Sequence, residues 1–144
     1  MQFPYTRIGG IRNYIPPYFS IVQINSVLFS DEKSRITRAL IPSLTENVLT
    51  NTKVVVNIQS KVDSDWLGLI AGLEYALENG ETAVALEHSS PYLIQSLIVP
   101  GTRFDHRNVY NYKQKLIRMA ERIEWLGART IPQRLNRAIN QKLY

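Results

Sequence analysis

Residues 65–80, DWLGLIAGLEYALENG, decide the architecture of this chain. Trp66, Leu69, Ile70, Leu73 and Leu77 recur at i, i+3, i+4, i+7 and i+11, which lays an apolar stripe along one face of a helix. Asp63 or Ser64 is placed to cap its start, and Asn79-Gly80 to close its end. Toward the N-terminus the period changes. Residues 18–29 (YFSIVQINSVLF) are rich in β-branched and aromatic side chains and read as a strand. Residues 31–33 supply turn chemistry, 35–41 (RITRALI) read as the hairpin partner, and 52–59 (TKVVVNIQ) as a third strand after a polar link. Three strands on short connections predict an antiparallel meander.

Toward the C-terminus, residues 82–86 (TAVAL) are too short and alternating for a helix and read as a fourth strand. Pro91 suits the first turn of a short helix over 92–99, which Pro100-Gly101 ends. From 108 to about 122 a second long helix is expected, with Val109, Tyr112, Leu116, Met119 and Ile123 as its apolar stripe. Lys115, Arg118 and Arg122 fall on another face of that helix, at i, i+3 and i+7. Residues 123–129 (IEWLGAR) read as a fifth strand, and Pro132 opens a last helix whose inner side is Leu135, Ala138, Ile139 and Leu143. The order β-β-β-α-β-α-α-β-α predicts an α/β fold, a five-stranded mixed sheet with helices on its faces. Residues 1–17, with three Pro, two Gly, Arg7, Arg12 and no acid, read as an N-terminal arm before a domain at 18–144.

A length of 144 residues suits one domain, and 44% hydrophobic with 20% charged residues is a globular balance. No apolar run approaches the ~18 residues of a membrane span. The first residues lack the pattern of a secretory signal, so an intracellular, non-secreted protein is expected. With no cysteine, thiolate catalysis, disulfides and Cys-based metal sites are excluded. Charge is uneven along the chain. Residues 1–102 hold 7 Lys/Arg against 9 Asp/Glu, a net of −2, whereas 103–144 hold 10 against 3, a net of +7. Basic charge concentrated in this way points to a polyanion such as nucleic acid, or to a solvated face.

Three segments in this order, DWLGLIAGLEYALENG (65–80), VALEHSSPYLIQSL (84–97) and IEWLGARTIPQRLNRAINQKL (123–143), resemble type 1 ribonuclease H domains. The resemblance covers roughly residues 18–144 and is strongest over 65–97. It implies a ribonuclease H-like fold and, in active members, two divalent metals held by four carboxylates. Carried onto this chain, the four positions are Ile24, Asp65, Ser89 and Asn140, so one acid of four remains. Hard cations need anionic oxygens, and one carboxylate does not hold a metal pair. The expected metal set and cofactor set are therefore empty, with magnesium or manganese entering only if the site is rearranged. Asp65 itself has a second reading, as an acid in the first helical turn meeting the helix dipole. Glu87, two residues before Ser89, is expected to share its face.

His88, beside the old metal position, reads either as a phosphate or metal contact or as a strand-end residue. Ser89 and Ser90 have no histidine base at a spacing that supports nucleophilic catalysis. Trp66 and Trp125 read as core, and Gly9-Gly10 lacks the context of a phosphate loop. The preferred nucleic-acid-binding set is Lys113, Lys115, Arg118, Arg122, Arg129, Arg134 and Arg137. In the arm, Phe3, Tyr5, Tyr14 and Tyr18 alternate with Arg7 and Arg12, which suits RNA or a protein groove, or packing along the chain's own domain. The reading that results is a non-catalytic module for RNA, RNA–DNA hybrid or another polyanion, or a structural subunit of a nucleic-acid-containing assembly. Its alternatives are a metal-dependent ribonuclease H with a rearranged site and a protein whose basic face meets an acidic protein.

Overall fold

The computed structural model describes residues 5–45, 47–58, 60–98 and 109–140. Among these residues six strands form one sheet: β1 (Thr6–Gly9), β2 (Ser20–Leu28), β3 (Ser34–Ile41), β4 (Leu49–Val55), β5 (Ala83–His88) and β6 (Trp125–Thr130). Their spatial order is β1-β6-β5-β2-β3-β4. The meander β2-β3-β4 is antiparallel as expected, β5 runs parallel to both β2 and β6, and β1 closes the far edge antiparallel to β6.

The sixth strand corrects the five-stranded expectation. It comes from residues 6–9, inside the stretch read as an arm. Thr-Arg-Ile-Gly has no alternation long enough to register as a strand. It is extended here because the otherwise unpaired edge of β6 accepts it, with Thr6 opposite Ala128 and Gly9 opposite Leu126 across a bulge. Gly10 makes the close approach possible. Its φ is +116°, and a Cβ there would lie 2.6 Å from the Trp125 Cα.

Helix α1 (Lys61–Glu78) lies across one face of the sheet with α3 (Val109–Ala120) beside it. Val22, Ile24, Ile36, Leu40, Val84 and Leu86 of the sheet pack there against Trp66, Leu69, Ile70 and Leu73 of α1 and Leu116 and Ala120 of α3. The close crossing needs Gly68, where a Cβ would collide with Ser26 Oγ. Trp66 and Trp125 are both buried, as the sequence predicts.

Three boundaries move. Helix α1 starts at Ser60, whose Oγ accepts from the Asp63 N–H, not at Asp63 or Ser64. Lys61 and Val62 carry no part of the apolar stripe, so the helix begins before its pattern does. The third expected strand is shifted to Leu49–Val55, and Asn57, with φ of 65°, turns the chain after it. The last helix is two pieces, a 3-10 turn at Gln133–Leu135 and α4 at Arg137–Asn140, separated by Asn136. Asn136 uses its own Oδ1 to accept the Ala138 N–H. Leu135 is consequently 54% exposed rather than inward, whereas Ala138 is buried; Leu143 lies outside the described residues.

Candidate functional site

Strands β2 and β5 are parallel neighbours, and β3 flanks β2 on its other side, so the chain direction switches at β2. Crevices form beyond the carboxyl ends of strands at such a point. Here a cleft of about 430 Å³ opens between the start of α1 and the start of α2 (Pro91–Ile98), with Asn25, Ser26, Lys61, Asp65, His88 and Ser89 in its walls.

Asp65 stands in the second turn of α1, because the helix starts earlier than expected. The acid in the first turn is Asp63, and the helix-dipole reading of Asp65 passes to it. Asp65 is instead a buried carboxylate held by its neighbours. Its Oδ1 accepts from Lys61 Nζ at 3.0 Å, and His88 Nε2 lies 3.8 Å away. The ring of His88 is oriented from its other side, where Nδ1 accepts the Ser90 N–H at 2.9 Å. A neutral ring accepting at Nδ1 carries its hydrogen on Nε2, which points toward Ser26 Oγ at 3.3 Å and Asp65. Ser26 and Asp65 are therefore on the same nitrogen of His88. A nucleophile activated by histidine needs a base nitrogen facing the hydroxyl and an orienting acid on the opposite nitrogen, so this trio is not a catalytic triad.

Burial lowers the His88 pKa to about 4; the nearby Lys61 pushes the same way and Asp65 opposes. A folded-state pKa below the unfolded value of 6.5 means that the unfolded chain takes up the proton first. Stability from the neutral ring is then present above pH 6.5 and is lost as pH falls toward 4, by up to about 3 kcal/mol. Denaturant melts of the parent and of His88→Gln between these pH values check this. The variant curve should be flatter, and parallel curves would remove His88 as the cause.

The other family positions are arranged around the same strand ends. Ile24 is fully buried under α1, while its carbonyl accepts from Asn136 Nδ2 at 2.9 Å. The same amide donates to Ser89 Oγ at 3.2 Å, so Asn136 ties the end of β5 to the middle of β2, where the pairing of the two strands stops at Ile24 and His88. Asn140 is the last residue of α4, and its side chain lies outside the described residues. Glu87 does not share the face of Ser89 and Asp65. Strand alternation turns Glu87 away from His88 to the opposite side of the sheet, where it is 2% exposed and bonded to Tyr5, Gln23 and Arg129. Because β5 ends at His88, the period of two does not carry on to Ser89, which lines the cleft.

These donors do not fit a pair of hard divalent ions. The cleft offers one carboxylate already bonded to an ammonium, an imidazole with its proton toward the site, and neutral hydroxyls and amides. Among the described residues no group of three His, Asp or Glu could hold a metal ion. Lys61 is the site residue that sequence reading missed. The i, i+4 spacing of Lys61 and Asp65 was the one available signal.

The basic set is divided by the fold. Lys115, Arg118 and Arg122 are exposed along α3 and just beyond it, and Lys113 is half-buried on the same helix. Arg134 and Arg137 are exposed on the opposite face of the sheet, where the Arg137 N–H donates to Gln23 Oε1. Arg129 is committed to Glu87 through Nε at 2.8 Å and Nη2 at 2.7 Å, and it stacks over Tyr5. Much of the arm is also engaged on its own domain. Tyr5 packs edge-on to Phe19 and Trp125 and Arg12 pairs with Glu124, while Arg7 donates to the carbonyls of Gly10 and Arg12 within the arm itself. Tyr14 and Tyr18 remain exposed, and Phe3 lies outside the described residues.

No protein-family model matches the chain, and no curated protein matches it in sequence. Solved structures do match. The N-terminal RNase H domain of a Mycobacterium tuberculosis protein superposes with a TM-score of 0.67 at 16% identity, over 83% of this chain and 86% of that one. RNase H1 from the halophilic archaeon Halobacterium salinarum gives 0.66 at 15% identity, over 83% and 89%. LC11-RNase H1, isolated from compost and also solved in complex with RNA/DNA hybrid, gives 0.70 at 14% identity, over 86% and 91%. The chain has a ribonuclease H-like fold. This ribonuclease H-like domain differs from the expected five-stranded form by the added edge strand β1. Among its described residues, no helix is long and apolar enough to cross a membrane.

Proposed function

We propose that this ribonuclease H-like protein is a non-catalytic nucleic-acid-binding module, or a structural subunit of a nucleic-acid-containing assembly. The observation that carries the reading is the chemistry of the cleft. Among the described residues its single carboxylate, Asp65, is paired with Lys61, and the Ile24 and Ser89 positions present an apolar side chain and a hydroxyl. A fold that keeps its architecture with one acid at the four positions is read as retaining surfaces rather than a reaction.

The partner class is supported by the +7 charge of residues 103–144, by the exposed basic face of α3, and by the RNA/DNA hybrid bound by a structural neighbour. Contacts from Lys and Arg go mainly to phosphates, so binding is expected to be sequence-tolerant and strongly salt-dependent. The test is a binding and cleavage assay on RNA–DNA hybrid, duplex RNA and single strands, with and without magnesium or manganese. Salt-dependent binding without cleavage is expected. Metal-dependent hybrid cleavage abolished by Asp65→Asn would instead establish a ribonuclease H with a rearranged site. Neither binding nor cleavage would leave the basic face to an acidic protein partner.

A further inference from the structure

Lys61 lies one helical turn before Asp65 and reaches over the end of β2. Its ammonium donates to Asp65 Oδ1 at 3.0 Å and to the Ser26 carbonyl at 3.2 Å. A carboxylate oxygen and a main-chain carbonyl converging on one point are donors of the type that hard cations take. In this chain a side chain fills that point. We propose that Lys61 is a resident cation: its tethered ammonium neutralises Asp65, joins the first turn of α1 to the end of β2, and keeps divalent ions out of the cleft.

The reasoning is electrostatic. A magnesium or manganese ion on Asp65 Oδ1 would sit against the ammonium bonded to that same oxygen, and like charges this close repel strongly in a half-buried site. The ion must therefore displace Lys61, whose local concentration is fixed by its position four residues from Asp65 on one helix. The remaining groups give little in return. His88 holds its proton toward the site, and Ser26 Oγ is a neutral ligand. The ammonium keeps 62% of its side chain exposed, so replacing it opens the carboxylate to solvent ions without emptying a packed core.

This inference deepens the non-catalytic reading, yet it is read on the free protein and fails separately from it. Manganese is titrated into the full chain at constant ionic strength, following broadening of the His88 imidazole resonances and the melting temperature. The parent and Lys61→Arg should show neither response at millimolar metal. Lys61→Met should acquire both, with a melting temperature that rises as metal is added, because an ion bound to the folded state stabilises it. Adding Asp65→Asn to Lys61→Met should abolish the gain. Lys61→Gln, which keeps helix propensity, carries the same test if Lys61→Met melts too low to follow. A parent that responds at Asp65, or a Lys61→Met variant that stays blind to manganese, overturns the proposal. A protein that is metal-blind but binds no nucleic acid defeats only the functional reading.

Discussion

Replacing Arg129 with Ala is expected to destabilise the fold by at most about 3 kcal/mol, the lower end of the range for breaking a buried ion pair, since Glu87 is buried but 37% of the Arg129 side chain is exposed. Glu87 is 2% exposed, and two guanidinium nitrogens of Arg129 converge on its Oε2. Removing them leaves a carboxylate in the sheet with only Tyr5 Oη–H and the Gln23 amide to solvate it. Those two donors are why the loss falls at the low end. The network also connects β2, β5 and β6 with Tyr5, the residue before β1, so its loosening should reach the N-terminal strand first. Urea unfolding with an unchanged m-value measures the cost. The double variant Glu87→Gln/Arg129→Ala should recover part of it, because a neutral amide needs no counter-ion. An Arg129→Ala protein as stable as the parent but weaker on nucleic acid would return Arg129 to the binding surface.

Changing Lys115, Arg118 and Arg122 together to Gln is expected to lower nucleic-acid affinity on the order of a hundredfold at 0.15 M salt, if each makes one phosphate contact. Three lost contacts at roughly 0.7–0.9 each reduce the log–log salt slope by about 2–3. All sequences should weaken alike, since phosphate contacts position without reading bases. The helix itself should persist. Val109, Leu116 and Ala120 hold its buried side, and Gln is close to Lys and Arg in helix propensity. Arg118 stands in the last turn, where a cation favours the helix dipole, so a stability loss of up to about 1 kcal/mol accompanies the change. Unchanged affinity across several salt concentrations would remove this face as the binding surface. The exposed pair Arg134 and Arg137, on the other side of the sheet, is the natural comparison.

Sequence alone determined the order of the main elements, because periodicity is a local property. The stripe of Trp66, Leu69, Ile70, Leu73 and Leu77 specifies a helix wherever it is folded, and the β-branched run of 20–28 specifies a strand. That Ile24 and Ser89 are not acids was equally legible, since residue identity needs no coordinates. What tertiary structure decided is whatever depends on a partner distant in the chain. Residues 6–9 are a strand only because β6, more than a hundred residues later, offers them an unpaired edge. Glu87 and His88 are adjacent in sequence, yet strand alternation places them on opposite faces, one against Arg129 and the other against Asp65. Arg129 belongs to the basic set by sequence, and only the fold pairs it with the buried Glu87 while 37% of its side chain stays exposed. Asp65 was read as a first-turn acid until the helix start at Ser60 put Lys61 one turn ahead of it. Local pattern fixes conformation, whereas the protonation and pairing of a charged group follow from which dielectric and which counter-charge the fold brings to it.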